Sequence, residues 1–204
     1  MDQFDPGTMK PTAKSIIFGL QHVGKTWLVR DLLTVINADV NVIVGNEFDT
    51  RAYKKMDRVR NLFMEYEPCL IASWLDASNN HTFVLDDCIY DRDIFDDFYF
   101  NQLMTDTSRA LFMTSLFIWV EQANRFDYIF LFRLPFSGSR EHLYDAFAKH
   151  YFLTLEDFCA AMDTLTIDHN CLVLDRANRK VFGYRAPGKR MDKWGCYVDD
   201  AAPH

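Results

Sequence analysis

The segment GLQHVGKT, residues 19–26, constrains the fold of this chain more than any other stretch. It matches the spacing G-x-x-x-x-G-K-T, in which successive backbone N–H groups surround the phosphates of a nucleotide. A random chain of this length carries the pattern with a probability on the order of 1%. The alternative interpretation is a glycine turn that leads into a helix with a surface lysine.

The residues on either side favour a phosphate-binding loop. SIIF at 15–18 predicts a buried strand, and residues 26–36 predict a helix whose N-terminus faces the loop. We expect Lys25 to reach the β- and γ-phosphates and the Thr26 hydroxyl to ligate Mg²⁺. Residues 20–23 include no small side chain, which is unusual for such a loop. The residues predicted to bind the nucleotide are Gly19, Leu20, Gln21, His22, Val23, Gly24, Lys25, Thr26 and Trp27.

Length and composition predict one α/β domain with an ample core. The chain has 204 residues, of which 49% are hydrophobic and 18 are Phe. Its apolar runs are shorter than a membrane span requires, and its first residues lack the apolar centre of a secretory signal. The five cysteines are scattered without a C-x-x-C spacing. We therefore expect reduced thiols rather than disulfides or a zinc site.

Apolar runs alternate with helical patterns along the chain. We predict further strands at 40–45, 81–87, 114–120 and 128–133, and a terminal hairpin formed by 171–174 and 181–184. We predict helical segments at 91–110, 139–149 and 155–165, a polar loop leading to a helical stretch after residue 45, and helix or edge strand at 63–74. This alternation favours a largely parallel sheet that is covered on both faces.

The predicted strand at 81–87 ends in two acids, FVLDD. Ligands bind at the carboxyl ends of strands in such sheets. We expect Asp86 to hold the metal through water and Asp87 to act as the general base. An apolar run followed by two aspartates is also a common transition from strand to turn, but the phosphate-loop motif about sixty residues earlier favours a functional pair.

Gln122 follows the apolar segment SLFIWVE and could sense the γ-phosphate from the end of its strand. It could equally be a polar residue that closes a strand at the surface. Arg109, Arg125 and Arg133 are candidates for an arginine finger that stabilises charge on the transferring phosphoryl group. For each arginine taken alone, a surface or ion-paired role is the simpler interpretation.

The order of these segments resembles that of the genome-packaging ATPases of nucleocytoplasmic large DNA viruses, members of the FtsK–HerA superfamily. The resemblance covers about residues 13–187, and its most specific part is the run from 152 to 175. The segments that carry it are GLQHVGKT, FVLDD, SLFIWVEQ, RFDYIFLFR, FLTLEDFCAAMDTLTIDHNCLVLDR and VFGYRAP.

The resemblance implies a RecA-like P-loop NTPase fold, with a mostly parallel central sheet flanked by helices and a C-terminal hairpin. It implies a lead-in at 1–12, an ATPase domain at 13–187 and a tail at 188–204. It further implies ATP hydrolysis with Mg²⁺, a homo-oligomeric ring, capsid vertex proteins as partners, and translocation of double-stranded viral DNA into a preformed capsid. The implied location is the host cytoplasm, at viral factories, and the virion.

The resemblance gives Lys25 and Thr26 the phosphate-loop roles, Asp86 and Asp87 the acid pair, and Gln122 the polar sensor. Arg109 falls where family members often carry Gly-Arg-His, but here its neighbours are Ser108 and Ala110. Arg125 matches an arginine just ahead of the next strand. The segment between Gln122 and Arg125 is shorter than in relatives, which puts in doubt any ring-interface or DNA loop at that point.

The net charge is −7, so any contact with DNA has to be local. One group of basic residues follows the second predicted strand and another lies near the C-terminus. They are Arg51, Lys54, Lys55, Arg58 and Arg60, and Lys189, Arg190 and Lys193. Two alternative functions are a nucleotide-binding virion assembly protein with little turnover and a small-molecule P-loop kinase.

Overall fold

A mixed sheet with helices on both faces forms the centre of the fold. The computed structural model describes residues 2–76, 81–89, 92–116, 124–186, 189–191 and 197–199. Within these residues the sheet has eight strands: β1 (Lys14–Phe18), β2 (Asp39–Val44), β3 (Val59–Phe63), β4 (His81–Asp86), β5 (Leu111–Ser115), β6 (Tyr128–Leu131), β7 (Cys171–Asp175) and β8 (Lys180–Tyr184). A separate two-stranded ribbon pairs β9 (Lys189–Met191) with β10 (Tyr197–Asp199).

Six α-helices lie within the described residues: α1 (Lys25–Thr34), α2 (Glu47–Tyr53), α3 (Pro68–Asp76), α4 (Phe98–Thr105), α5 (Ser137–Leu143) and α6 (Leu155–Leu165). Short 3₁₀ helices occupy Pro6–Thr8 and Arg92–Asp96, and a π-helical turn at Tyr144–Ala148 continues α5.

The strand order is β3-β2-β4-β5-β1-β6-β7-β8. The first six of these strands run parallel, whereas β7 and β8 are antiparallel additions at one edge. Every residue of β1, β4, β5 and β6 is buried, as expected for parallel strands that are covered on both faces. The predicted α/β fold and the C-terminal hairpin are confirmed.

Alternating side chains divide the interior into two layers. Ile16 and Phe18 of β1 pack on the face covered by α3 to α6, whereas Ile17 packs on the face covered by α1 and α2. Residues 2–12, predicted as an irregular lead-in, also contribute to the second layer. Phe4 is buried there and packs edge-on against Phe130 and Tyr184.

Two of the predicted elements differ from the structure. The polar segment after β2, predicted as a loop that leads to a helical stretch, forms the helix α2 and the edge strand β3. The stretch at 63–74, predicted as helix or edge strand, contains the end of β3 and the helix α3 from Pro68, so this prediction is confirmed. The strand predicted at 114–120 overlaps β5, which begins at Leu111 and ends at Ser115, whereas residues 117–120 lie outside the described residues. The run LFMTSLFIWV has apolar residues on both sides of Thr114 and Ser115, so hydrophobicity alone does not fix where the strand lies. Pairing with β1, which aligns Lys14 with Leu111, decides it.

Within the described residues, no helix combines the length and the apolar character needed to cross a membrane. Four cysteines lie in the described part of the chain, and all four are free thiols: Cys69, Cys88, Cys159 and Cys171.

Lys14 is a buried cation at the start of β1, with only 5% of its surface exposed. Its ammonium donates a hydrogen bond to the carbonyl oxygen of Arg109 over 2.6 Å. Burial lowers the pKa of Lys14 to about 8, although the charges of Asp106 and Asp127 oppose this shift. The unfolded chain therefore keeps this proton at pH values where the folded chain has released it.

We predict that the stability of the wild type relative to a Lys14→Met variant rises with pH. Below about pH 8 both states hold the proton and the folded state carries the cost of the buried charge; above pH 8 that cost is progressively relieved. The difference in free energy of unfolding should shift by about 2 to 3 kcal/mol in favour of the wild type between neutral pH and about pH 10. Denaturant titrations of both proteins measure it, and a difference independent of pH would contradict the assignment.

Candidate nucleotide site

The loop between β1 and α1 needs both of its glycines. Gly24 caps α1 with a φ of 109°, a left-handed conformation that side chains disfavour. A Cβ atom on Gly19 would lie 2.7 Å from Cγ2 of Val23 and 2.9 Å from Cβ of Phe132, too close for any side chain. The first turn of α1 directs its unpaired N–H groups toward the loop, a geometry suited to phosphate.

Lys25 is buried, and its ammonium has three acceptors. Nζ lies 3.0 Å from the carbonyl oxygens of both Gly19 and Leu20, and 2.9 Å from Oδ2 of Asp87. The ion pair joins the loop to the end of β4. The structure thus brings the two predicted motifs together at the carboxyl end of the parallel strands.

Asp86 is a fully buried carboxylate between two hydroxyl groups. Thr114 donates to its Oδ1 over 2.6 Å, and Tyr53 donates to its Oδ2 over 2.8 Å. Burial raises the pKa of Asp86 to about 6; the hydrogen bonds from Thr114 and Tyr53 limit this rise, and the charge of Asp49 adds to it. The carboxylate form therefore prevails at neutral pH. Burial and the charge of Asp86 also raise the pKa of Tyr53, so its hydroxyl remains a donor.

Asp87 has a φ of 47°, in the left-handed region. Successive side chains of a strand point to opposite faces, so a regular continuation of β4 would separate Asp86 from Asp87. The left-handed turn keeps them together. Oδ1 of Asp87 lies 3.3 Å from the hydroxyl oxygen of Thr114, and the N–H of Asp87 donates to that oxygen over 2.9 Å.

The oxygen atoms at this end of the sheet fit a magnesium ion. Carboxylate oxygens of Asp49, Asp86 and Asp87 lie within 4.8 Å of one another. The hydroxyl of Thr26 is 3.3 Å from Oδ1 of Asp49. Mg²⁺ binds hard oxygen donors, commonly one or two carboxylates together with substrate phosphates. Thr26 and Asp86, the predicted ligands, belong to this group.

The structure does not bring Arg109 or Arg125 to the phosphate loop. Both lie at the opposite end of the sheet, because Arg109 precedes β5 and Arg125 precedes β6. A five-residue strand such as β5 spans roughly 17 Å. Arg109 forms an ion pair with Asp106 and donates to the carbonyl oxygen of Leu75 over 3.0 Å. Neither arginine therefore lies near the phosphate loop of its own subunit, and the finger role stays a prediction.

The outcome differs for two further predicted residues, Gln122 and Arg133. Gln122 lies outside the described residues, and because β5 ends at Ser115 the strand that was to carry it stops seven residues earlier. Its role as a sensor stays a prediction. Arg133 follows β6 at the phosphate end of the sheet and forms an ion pair with Asp163 over 3.4 Å.

Sequence reasoning missed four residues of the site: Asp49, Tyr53, Thr114 and His169. Asn46 and Asp49 have the spacing of a helix N-cap, which could have revealed α2. Thr114 is the first polar residue after LFM, the signal of a strand end. His169 had no signal, since it lies on the loop before β7 and reaches the phosphate loop only through the fold, with Nδ1 2.9 Å from the carbonyl oxygen of Val23.

No protein-family model and no curated protein matches the chain. Several solved structures of genome-packaging NTPase B204 from Sulfolobus turreted icosahedral virus 2 have a similar fold. The complex with ATP-gammaS gives a TM-score of 0.62 at 11% identity, over 87% of this chain and 98% of that chain. The complex with AMPPCP gives 0.65 at 9% identity, over 88% and 100%.

A further structure, of B204 described as the DNA-packaging ATPase from Sulfolobus Turreted Icosahedral Virus, gives a TM-score of 0.64 at 12% identity, over 88% of this chain and 100% of that one. The fold is that of a P-loop NTPase. At these identities the likeness establishes the fold, and the predicted fold class is confirmed.

We predict that Lys25→Ala weakens the affinity for ATP by about ten- to a hundredfold and abolishes hydrolysis. The substitution removes a charge-assisted hydrogen bond to phosphate, which contributes about 1.5 to 3 kcal/mol. Titration with a fluorescent ATP analogue and a phosphate-release assay measure the two effects. A variant that hydrolyses ATP at the wild-type rate would refute the assignment of the loop.

We predict that substitutions of the two acids, Asp86 and Asp87, have different effects on ATP binding and hydrolysis. Asp87→Asn should preserve ATP binding and slow hydrolysis by about 10² to 10⁴, the range expected for loss of a general base. Asp86→Asn should instead weaken magnesium-dependent binding, because it removes the buried metal ligand. ATP affinity with and without Mg²⁺, measured beside the turnover rate, distinguishes them; the reverse pattern would exchange their roles.

Proposed function

We propose that this chain is an ATP-hydrolysing motor that translocates viral double-stranded DNA into a preformed capsid. The observation that carries the proposal is the 2.9 Å ion pair between Lys25 and Asp87, which joins a phosphate loop to an acid pair. A phosphate loop alone binds a nucleotide, whereas hydrolysis also needs a metal-holding acid and a base for the attacking water. The similarity in fold to viral packaging NTPases supports the same activity class.

In the proposed reaction, Lys25 and the N-terminus of α1 neutralise charge on the phosphates. Thr26 and Asp86 would hold Mg²⁺, which when bound would supply positive charge to stabilise the negative charge that develops on the phosphates. Asp87 accepts a proton from the water that attacks the γ-phosphorus, and the bond to the bridging oxygen breaks to release ADP and phosphate. Gln122 is the proposed sensor of the γ-phosphate.

The proposal includes a homo-oligomeric ring of the FtsK–HerA type, docked on capsid vertex proteins. It places the protein in the host cytoplasm, at viral factories, and in the virion, as the resemblance to packaging ATPases of nucleocytoplasmic large DNA viruses implies. In a ring, Arg125 would be the candidate finger for the site of a neighbouring subunit, since it lies at the far end of the sheet from its own site, whereas the Arg109 side chain is held by Asp106 and the Leu75 carbonyl.

The basic residues around α2 are the proposed DNA contact. Arg51, Lys54 and Lys55 are exposed and form no ion pair with any other described residue. Two others are engaged: Arg60 pairs with Asp39 over 2.9 Å, and Arg58 donates to the carbonyl oxygen of Ile36. The first three thus remain available for phosphates of a DNA backbone.

Two alternatives remain. The ammonium of Lys25 already contacts three acceptors, and these contacts have to be replaced by phosphate when a nucleotide binds. This requirement suits an assembly protein with little turnover.

A cavity of about 340 Å³ is lined in part by Cys88 and Ile89, the residues that follow the acid pair in sequence, and is the candidate site for the acceptor of a kinase. Its lining is mainly apolar, with Met64, Ile89 and Ile94, and Glu65 is its charged residue. Such a lining lacks the cations that a nucleotide acceptor requires, which makes the kinase the weaker alternative.

We predict that double-stranded DNA accelerates phosphate release, and that Lys54→Glu combined with Lys55→Glu removes this acceleration. Two charge reversals change the net charge from −7 by −4, to −11. A matched control reverses the exposed lysines Lys149 and Lys180, which lie elsewhere on the fold and produce the same net charge. The acceleration should also fall steeply with salt, because phosphate contacts release counterions.

Each outcome of this assay has a consequence. Turnover without any response to DNA in the wild type would overturn the motor, and ATP binding without turnover would favour the assembly protein. Turnover that requires a small acceptor would favour the kinase. Equal loss of the DNA response in the two double variants would show that only net charge matters and would refute the DNA contact at α2.

A further inference from the structure

The inner face of α2 contacts both predicted magnesium ligands. Asp49 and Tyr53 are four residues apart and therefore lie on the same side of the helix. Oδ1 of Asp49 accepts a hydrogen bond from the Thr26 hydroxyl over 3.3 Å, and the Tyr53 hydroxyl donates to Oδ2 of Asp86 over 2.8 Å. One short helix thereby touches the phosphate loop and the end of β4.

The start of α2 fixes the carboxylate of Asp49. Asn46 caps the helix, since its side-chain oxygen accepts from the N–H of Asp49 over 3.0 Å. Its amide nitrogen also donates to Oδ2 of Asp49 over 2.5 Å. With Oδ2 occupied by the cap, the remaining oxygen is the one that meets Thr26.

This contact has a chemical consequence for Thr26. A hydroxyl ligates a cation through an oxygen lone pair, so its hydrogen has to be donated to another acceptor. Asp49 is such an acceptor. The hydrogen bond turns the hydroxyl so that its lone pairs are available to the metal.

The hydrogen bond from Tyr53 orients the Asp86 carboxylate, as the contact with Asp49 orients the Thr26 hydroxyl. Tyr53 and Asp86 are fully buried, and Asp86 receives one hydroxyl on each oxygen, from Thr114 and from Tyr53. Two donors at opposite ends of the carboxylate fix its plane. A carboxylate offers about four lone-pair positions, so each oxygen keeps one for the metal or its bound water.

We propose that Asp49 and Tyr53 are positioning residues of the magnesium site, Asp49 for the Thr26 hydroxyl and Tyr53 for the Asp86 carboxylate. The inference rests on the proposed function, because it assumes that nucleotide binds here with Mg²⁺. Partners of this kind around metal ligands are worth about ten- to a hundredfold in metal affinity.

The test measures the affinity for a fluorescent, non-hydrolysable ATP analogue with Mg²⁺ and with a chelator in its place. The ratio of the two dissociation constants gives the gain due to the metal. Tyr53→Phe and Asp49→Asn should each reduce this gain about tenfold. Tyr53→Phe should leave the affinity in chelator unchanged, whereas Asp49→Asn removes a negative charge beside the phosphates and should not weaken it. A purely structural role would lower stability or alter both affinities together.

Two control variants make the same chemical changes, Tyr to Phe and Asp to Asn, at residues outside the candidate site. Tyr184→Phe removes a hydrogen bond from a tyrosine to the carboxylate of Asp31. Asp157→Asn changes an acid that, like Asp49, is held by the N-cap residue of its helix, here Thr154. Both controls should retain the wild-type gain. Asp49 is partly exposed on a surface helix, so its variant should fold even if Tyr53→Phe does not.

The outcomes separate this inference from the function on which it rests. If the wild type had the same nucleotide affinity with and without Mg²⁺, both the positioning roles and the proposed function would be overturned. A wild type that gains from Mg²⁺, with the same gain in Tyr53→Phe and Asp49→Asn, would overturn the positioning roles and leave the ATPase proposal intact. A loss of gain in the controls as well would also refute the specific roles.

Discussion

The parallel hydrogen bonding of β5 to both β1 and β4 is the constraint on which the site depends. Lys25 and Asp87 are far apart in sequence and meet only because β1 and β4 end at the same edge of the sheet. The register matters as much as the direction. It sets Thr114 beside Asp86 on one side and Ile17 on the other. A slip by one residue would turn the Thr114 hydroxyl to the opposite face and leave Asp86 without one of its donors.

A buried carboxylate is costly unless hydrogen bonds compensate it, and this cost explains the role of α2. Asp86 has no exposed surface, and one of its two hydroxyl partners, Tyr53, comes from that helix. The same helix presents Arg51 to solvent, and Lys54 follows directly after it. A partner that binds the outer face of α2 would therefore act on an element that also holds the acids of the candidate site.

The two ends of the sheet carry different chemistry. The carboxyl end has the phosphate loop, the acid pair and Asp49, whereas the amino end has Arg125 and the two cations Lys14 and Arg109, which form hydrogen bonds within the subunit. This division explains why Arg109 and Arg125 do not reach the phosphate loop of their own subunit, although both are close in sequence to the predicted sensor strand. An arginine that precedes a parallel strand lies at the amino end of the sheet, whereas the phosphate loop lies at the carboxyl end. In the proposed ring, the geometry leaves Arg125 to a neighbouring subunit.

The sequence by itself determined the local features: the phosphate loop, the strand that ends in Asp86, the helix at 155–165 and the hairpin formed by β7 and β8. Each has a signal within a few residues, namely glycine spacing, an apolar run that ends in acids, or regular periodicity. Only the tertiary structure decided the pairing of β5 with its neighbours and the contacts of Tyr53, Thr114 and His169 with the site. Those depend on which strands pair and in which register. In LFMTSLFIWV, apolar residues lie on both sides of Thr114 and Ser115, so hydrophobicity alone allows a strand on either side of them.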